Sequence, residues 1–348
     1  MADVRDDGTP RQSYEDFTDY PLPLRLVQAN KKKEFISMVD SHRDKRSILN
    51  CVHSKSGDTP IIVASRHGHV ELLKFLIQQG VDIEQRNKDL KRPLHEAAAG
   101  CHLECVKLLI SQNAEIDCLK RADWTPLMLS CTKLNFDIIK VLAQSGANLT
   151  LTNKDGWNCF HIAARFEPGS IRKIFSVCRC GYAPDCPDSC GSTPLMDALR
   201  TGHVLVAETL IKEHKASLTA MDQLGRQAIH LAAHAGCNKS LEYIITQHGM
   251  DVNVCTGKSK MAPLHLAAKE GYAETVQFLI SKGASINTQD KNGRTALHLS
   301  SAAGHDNCVH IILRLHNADS SLRDCSGQTA QDLALKPAVQ RIFESVAP

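Results

Sequence analysis

Residues 261–271 read MAPLHLAAKEG. Variants of this stretch recur as GDTPIIVASRHGH (57–69), LKRPLHEAAAGCH (90–102), ADWTPLMLSCTKL (122–134) and DGWNCFHIAARFE (155–167). They continue as GSTPLMDALRTGH (191–203), GRQAIHLAAHAGC (225–237) and GRTALHLSSAAGH (293–305), with a weaker copy from Gly327. One column of the alignment holds Pro60, Pro93, Pro126, Cys159, Pro194, Ala228, Pro263, Ala296 and Ala330, at steps of 33 to 35 residues. A fixed period of this length marks stacked supersecondary units.

Each recurrent residue has a physical role. Thr59, Thr125 and Thr193 suit a helix N-cap, and the proline after each suits the first helical turn. Alanines such as Ala97, Ala98, Ala267 and Ala268 let helices approach closely. Gly68, Gly202, Gly271 and Gly304 suit the left-handed residue that ends a first helix. A second helix follows, as in VELLKFLIQQG (70–80), with apolar residues three and four apart. Gly80, Gly146 and Gly283 end it, and Asn113 and Asn317 take that place elsewhere.

The period and the TPLHLAA…GH theme resemble the ankyrin repeat over roughly residues 54–335. The resemblance implies an all-α ankyrin-repeat solenoid of helix-turn-helix units with short β-hairpin fingers. One repeat cannot bury its apolar face alone, so a single cooperative array is expected. Residues 1–20 are polar and acidic and are expected to be a disordered tail. Residues 21–53 read as an N-terminal helical cap, 54–323 as about eight repeats, and 324–348 as a C-terminal capping repeat.

Composition narrows the function classes. The formal net charge is only +3, from 41 basic and 38 acidic residues, which argues against direct nucleic-acid binding. No run of about 18 apolar residues exists, so no membrane span is expected. The N-terminus has no apolar signal segment, so the 14 cysteines read as thiols in a reducing compartment, cytoplasmic and also nuclear. Cys178, Cys180, Cys186 and Cys190 could hold zinc, but they lack a CxxC pair, and free thiols in a connector are the other reading. TGKS at 256–259 lacks the leading glycine of a phosphate loop, and HEAAA at 95–99 lacks a second zinc histidine. His95, His161, His230, His265 and His298 belong to the repeat and are expected to make structural hydrogen bonds. No nucleophile elbow is present. A non-enzymatic, monomeric binding protein without cofactor or metal is expected.

Two finger columns carry the binding candidates. The first reads Asp58, Lys91, Trp124, Trp157, Ser192, Arg226, Met261, Arg294 and Gln328. In the ankyrin fold this position faces the concave binding surface, so Trp124 and Trp157 stand out against a polar norm. They either stiffen adjacent fingers or form an exposed platform, one repeat or roughly 10 Å apart. Burying one indole against a partner removes about 150–250 Å², worth at most about 4–6 kcal/mol. Three residues earlier stand Lys55, Lys88, Arg121 and Lys154, a cation in four successive repeats. This stripe predicts an acidic or phosphate-bearing partner surface.

KRPLHEAA (91–98), CLKRADWTPLM (118–128), NKDGWNCFHIA (153–163), LMDAL (195–199) and AAKEG (267–271) depart from the consensus repeat. Together they resemble a vertebrate ankyrin-repeat family that co-regulates alanyl-tRNA synthetase. The resemblance implies binding to the synthetase's catalytic domain and capture of misactivated serine on lysine side chains. An alanine-sized pocket rejects serine only weakly, so an acceptor for seryl-adenylate is chemically useful. A free lysine has a pKa near 10.4 and is about 0.1% neutral at physiological pH; neighbouring cations and burial raise that share. The family's acceptor lysines fall in the cation column. Lys154 matches one; Arg121, which cannot serve, stands at the second with Lys120 beside it; the third falls in 167–189. The alternative is a generic scaffold for an unrelated acidic protein.

Overall fold

The computed structural model describes residues 20–166, 183–314 and 317–346. The tail 1–19, most of the divergent region 167–182, and Cys178 and Cys180 lie outside the described residues. The contacts divide the chain into two units, whose described parts are 20–166 and 183–346.

The first unit opens with three short helices, α1 (Leu22–Gln28), α2 (Lys32–Ser41) and α3 (Lys45–Leu49). Three helical pairs or part-pairs follow: α4 (Pro60–Arg66) with α5 (Val70–Gln78), α6 (Pro93–Ala99) with α7 (Leu103–Ser111), and α8 (Pro126–Thr132) with α9 (Phe136–Gln144). Helix α10 (Cys159–Phe166) begins the next repeat. The first helices stack in the order α4, α6, α8, α10, and the second helices stack beside them. The stack is close because its facing residues are small: Ala64, Ala97, Ala98, Ala163 and Ala164 are fully buried. On α5 the apolar stripe buries Leu72, Leu73 and Leu76 completely, each worth roughly 1.5–3 kcal/mol.

The second unit repeats the plan with α11 (Pro194–Arg200), α12 (Val204–His214), α13 (Ala228–His234), α14 (Asn238–Glu242), α15 (Pro263–Glu270), α16 (Ala273–Ser281), α17 (Ala296–Ala303), α18 (Asp306–Leu313) and a terminal α19 (Pro337–Val346). Helix α14 runs into a π turn over Tyr243–Gln247.

The caps follow the pattern in part. Thr125 and Thr193 Oγ1 accept from the amides of Met128 and Met196, while Thr59 caps α4 through its backbone conformation alone. Gly271 ends α15 at φ +84°, and a Cβ there would sit 2.5 Å from the His305 ring. That ring in turn bonds the Lys269 carbonyl at 3.0 Å, so the glycine and the histidine of the GH theme form one device. His102 bonds the Arg66 carbonyl in the same way at 2.8 Å.

The fingers between repeats are tight turns rather than strands. Among the described residues only isolated bridges occur, Lys120 with Trp124 and Arg323 with Thr329. One expectation is corrected at its boundary. Tyr20, assigned to the tail, is 3% exposed and packs its ring 4.7 Å from that of His53.

Candidate functional site

Every finger closes in the same way. The N–H of its first residue donates to the carbonyl of its last: Asn87 to Lys91 at 3.1 Å, Lys120 to Trp124 at 3.0 Å, and Asn153 to Trp157 at 3.0 Å. The fingers are then stitched together. Lys88 N–H donates to the Ser56 carbonyl, Arg121 N–H to that of Asp89, and Lys154 N–H to that of Ala122, at 2.9–3.1 Å. The second unit does the same through Gln223, Lys291 and Cys325. The cation column is therefore the column of these rungs, which is why its members stay in register.

The side chains of that column are exposed at Lys55, Lys88, Arg121 and Lys154. Two of them also brace the fingers. Lys88 Nζ donates to the Ser54 carbonyl at 2.5 Å, and Arg121 Nη2 to the Lys88 carbonyl at 3.1 Å. Arg121 lies 3.8 Å from Asp89.

The tryptophan column is less uniform than its polar composition suggests. Asp58, which shares this column, is fully buried. Its carboxylate accepts from Arg66 at 2.8 and 2.9 Å, from the Tyr20 hydroxyl at 2.5 Å and from Asn87 at 2.9 Å. Four donors compensate the burial, so the charge is held rather than shown to solvent. Trp124 and Trp157 are both half-buried. Lys120 Nζ lies 5.6 Å from the Trp124 ring, and the Arg165 guanidinium 3.7 Å from the Trp157 ring, both as cation–π contacts. The indoles thus carry their own cations, an association that spacing alone did not reveal.

Lys120 breaks the rule of its position. The first residue of most fingers supplies an oxygen that accepts two later amides of the same turn. Asn153 Oδ1 accepts from Asp155 and Trp157 at 2.9 Å each, and Asp222 Oδ1 from Leu224 and Arg226 at 2.9 and 2.8 Å. Asn87, Asp188, Asp290 and Asp324 do the same. A lysine ammonium accepts nothing. Counting fingers from His53–Asp58 as the first, finger 3 (Lys120–Trp124) keeps the closing bond but turns through a short 3-10 segment, Arg121–Asp123, in which Ala122 and Asp123 take φ +63° and +61°. Two successive left-handed non-glycine residues cost about 1–2 kcal/mol each. Local rules are broken in this way mostly where function requires it.

The amine so presented is half-buried. Burial pushes Lys120 below the ordinary lysine range, and the Lys91 ammonium adds to the effect, while Asp89 and Glu96 oppose it. Lys154 is exposed at the rung of finger 4 (Asn153–Trp157). The structure therefore brings Lys120, Lys91, Arg121 and Trp124 together on two adjoining fingers, with Trp157 and Lys154 on the next.

The repeat histidines are structural. His95 Nδ1 accepts from the Arg92 amide at 3.1 Å, which leaves Nε2–H to donate to the Trp124 carbonyl at 3.1 Å. His230, His265 and His298 make the same pair of bonds, to the carbonyls of Val254, Thr288 and Gln328. The TGKS stretch is an ordinary finger, with Thr256 Oγ1 accepting from the Met261 amide at 2.9 Å. Among the described residues no group of three or more His, Cys, Asp or Glu is placed to hold a metal ion. Cys186 is half-buried and Cys190 is exposed. No helix among the described residues is long and apolar enough to cross a membrane.

Comparison with known proteins agrees with the repeat. The family model for ankyrin repeats in three copies matches residues 26–120, 169–256, 244–324 and 264–343, and that for many copies matches 131–175. The probable 26S proteasome regulatory subunit p28 of Saccharomyces cerevisiae is 28% identical over 194 residues, 55% of this chain and 84% of that protein. Human rabankyrin-5 is 30% identical over 154 residues, 41% of this chain but only 13% of that protein. Among solved structures, the ankyrin repeat domain of Bcl-3 is similar over 74% of this chain and 100% of that one, at 24% identity and a TM-score of 0.43.

Proposed function

The chain belongs to the ankyrin-repeat family, and on that premise we propose that it binds the catalytic domain of alanyl-tRNA synthetase and captures misactivated serine. The repeats make it a protein-interaction scaffold. The finer reading rests on the resemblance of residues 83–165 to the synthetase co-regulators and on the fingers described above. The observation that carries it is Lys120: a half-buried lysine beside an indole, in a turn most of whose other versions use an Asn or Asp.

The chemistry is a single transfer. Neutral Lys120 Nζ attacks the acyl carbon of seryl-adenylate. The C–N bond forms, the bond from the acyl carbon to the phosphate oxygen breaks, AMP leaves, and the amine proton passes to water. The product is an amide, so each lysine is consumed and the protein acts as a sink, not a turnover enzyme. A lowered amine pKa matters because only the neutral form is nucleophilic. Lys154 is the second acceptor, matching the family's position directly. Trp124 and Trp157, with Lys55, Lys88, Lys91 and Arg121 around them, form the synthetase-facing surface. Such an activity operates where the synthetase works, in the cytoplasm.

The test is incubation of the full chain with alanyl-tRNA synthetase, ATP and serine, followed by peptide mass spectrometry. Seryl adducts on Lys120 and Lys154 that require all three components are expected. Binding without adducts overturns the capture reading and leaves an acidic-partner scaffold, which the four exposed cations at one finger position would equally suit. Neither binding nor adducts overturns both parts of the proposal.

A further inference from the structure

Lys120 has a neighbour that also breaks its position's rule. Glu96 sits on α6 where the other repeats place Val63, Leu129, Ile162, Leu231, Leu266 and Leu299, with Asp197 the other carboxylate. The Glu96 side chain is 6% exposed. A buried carboxylate is costly unless paired. Glu96 has two cations: Arg66 Nη2 at 3.0 Å and Lys91 Nζ at 3.3 Å. Burial pushes its carboxyl up, but Arg66 and then Lys91 outweigh this and hold it below the usual range. Arg66 is itself fixed by Asp58 at 2.8 Å. Glu96 thus stays an anion and serves as an anchor, not as a proton acceptor.

The consequence falls on Lys91. A surface lysine normally swings freely and its charge is averaged over solvent. Here the ammonium is pinned to a buried carboxylate whose charge is shared with Arg66. Lys91 ends finger 2 as Trp124 ends finger 3, and the two fingers are joined by the Arg121 amide to the Asp89 carbonyl at 2.9 Å and by Arg121 Nη2 to the Lys88 carbonyl at 3.1 Å. Lys120 is bridged to Trp124 within that joined pair.

We propose that Lys91 is a positioning residue for Lys120: an ammonium immobilised by Glu96 at the end of one finger, so that its positive charge stays fixed against the Lys120 end of the adjoining finger. This rests on Lys120 being the acyl acceptor and adds the residue that tunes it. The charged groups facing Lys120 are Lys91 and Arg121 in one sense and Asp89 and Glu96 in the other. His95, behind the Trp124 carbonyl, is buried and neutral. Of the two cations Lys91 acts more strongly, and it is the one tied to a buried anchor.

The experiment needs no synthetase. The full chain is trace-labelled with acetic anhydride between about pH 6 and about pH 10, and acetylation of each lysine is followed by peptide mass spectrometry. Lysine nitrogen attacks one carbonyl, the anhydride C–O bond breaks, acetate leaves and the proton goes to water. Lys91→Gln is expected to raise the pH midpoint of Lys120 labelling by about half a unit or more. Lys91→Arg is expected to keep the wild-type midpoint, because it restores the cation. Lys88→Gln, which removes a cation of the same finger that is tied to the Ser54 carbonyl and not to a buried carboxylate, is expected to leave it in place. An unmoved midpoint in Lys91→Gln, an equal shift in Lys88→Gln, or failure of Lys91→Arg to preserve it overturns the proposal. Circular dichroism on each variant separates these outcomes from loss of fold. A shift as expected, with no seryl adduct in the synthetase assay, would remove the serine reading and leave the tuning of Lys120 intact.

Discussion

The His95 imidazole donates to the Trp124 carbonyl at 3.1 Å, so the buried first helix of one repeat holds the backbone of the next finger. The companion bond, in which Nδ1 accepts from the Arg92 amide at 3.1 Å, needs the neutral ring. Burial pushes His95 down to about 4, and His230 in the second unit likewise to about 4. A base with a depressed folded-state pKa binds fewer protons folded than unfolded. Its contribution is complete above the unfolded value near 6.5 and is lost as pH falls from there to about 4. The full swing is of order 3 kcal/mol per histidine. Urea denaturation should give lower midpoints at about pH 5 than at about pH 7 in both units, and His95→Gln should reduce the difference in the first. Equal midpoints at the two pH values would contradict the assignment.

Lys120→Asn puts back the oxygen that other fingers use. The variant is expected to be more stable by about 0.5–1.5 kcal/mol while losing acyl capture at this site. Ala122→Gly relieves one left-handed residue and should stabilise by about 0.5–1 kcal/mol with Lys120 still reactive. Thermal melts paired with the adduct assay distinguish the two. A Lys120→Asn protein that is less stable than wild type would show that the lysine supports the turn.

Replacing the indoles separates binding from folding. Trp124→Ala should weaken synthetase binding by about thirtyfold or more, the effect of losing a hot spot of about 2 kcal/mol, with little change in melting temperature. Trp157→Ala should weaken binding and also lower stability, because the Arg165 guanidinium 3.7 Å from the ring loses a contact worth about 0.5–2 kcal/mol. Titration by calorimetry and a melt on each variant check both. Full binding in the double variant would move the interface elsewhere.

Tyr20→Phe removes one donor from the buried Asp58 carboxylate. With Arg66 and Asn87 still in place, the expected loss is about 1–2 kcal/mol, read by urea unfolding. No measurable loss would mean that solvent already reaches Asp58.

The repeat was readable because each recurring residue answers a local demand. Pro126 starts a helix, Gly271 takes a left-handed turn, and His265 joins two carbonyl-bearing segments, all within one period. Asp58 and Glu96 were not readable, because their compensation is non-local. Arg66 lies eight residues from Asp58 and thirty from Glu96, and Tyr20 lies thirty-eight from Asp58. A charged residue read alone is assigned to solvent. In the sequence alone, Lys120 stands out only as the neighbour of a matching position. A usable signal lies one residue before the cation column, where Asn87, Lys120, Asn153, Asp188, Asp222, Asp290 and Asp324 align, with His53 and Thr256 two residues before it in the two longer fingers. The lysine is conspicuous there only once the column's job as a turn acceptor is known.

The rungs between fingers all point the same way, each amide reaching back to an earlier carbonyl. Any such row has a donor face at its leading end and an acceptor face at its trailing end. Lengthening it by tandem copying preserves that polarity, whereas an inverted unit would set donor against donor. Growth of the molecule by genetic duplication, and its extension in the laboratory by grafted modules, are therefore confined to head-to-tail order.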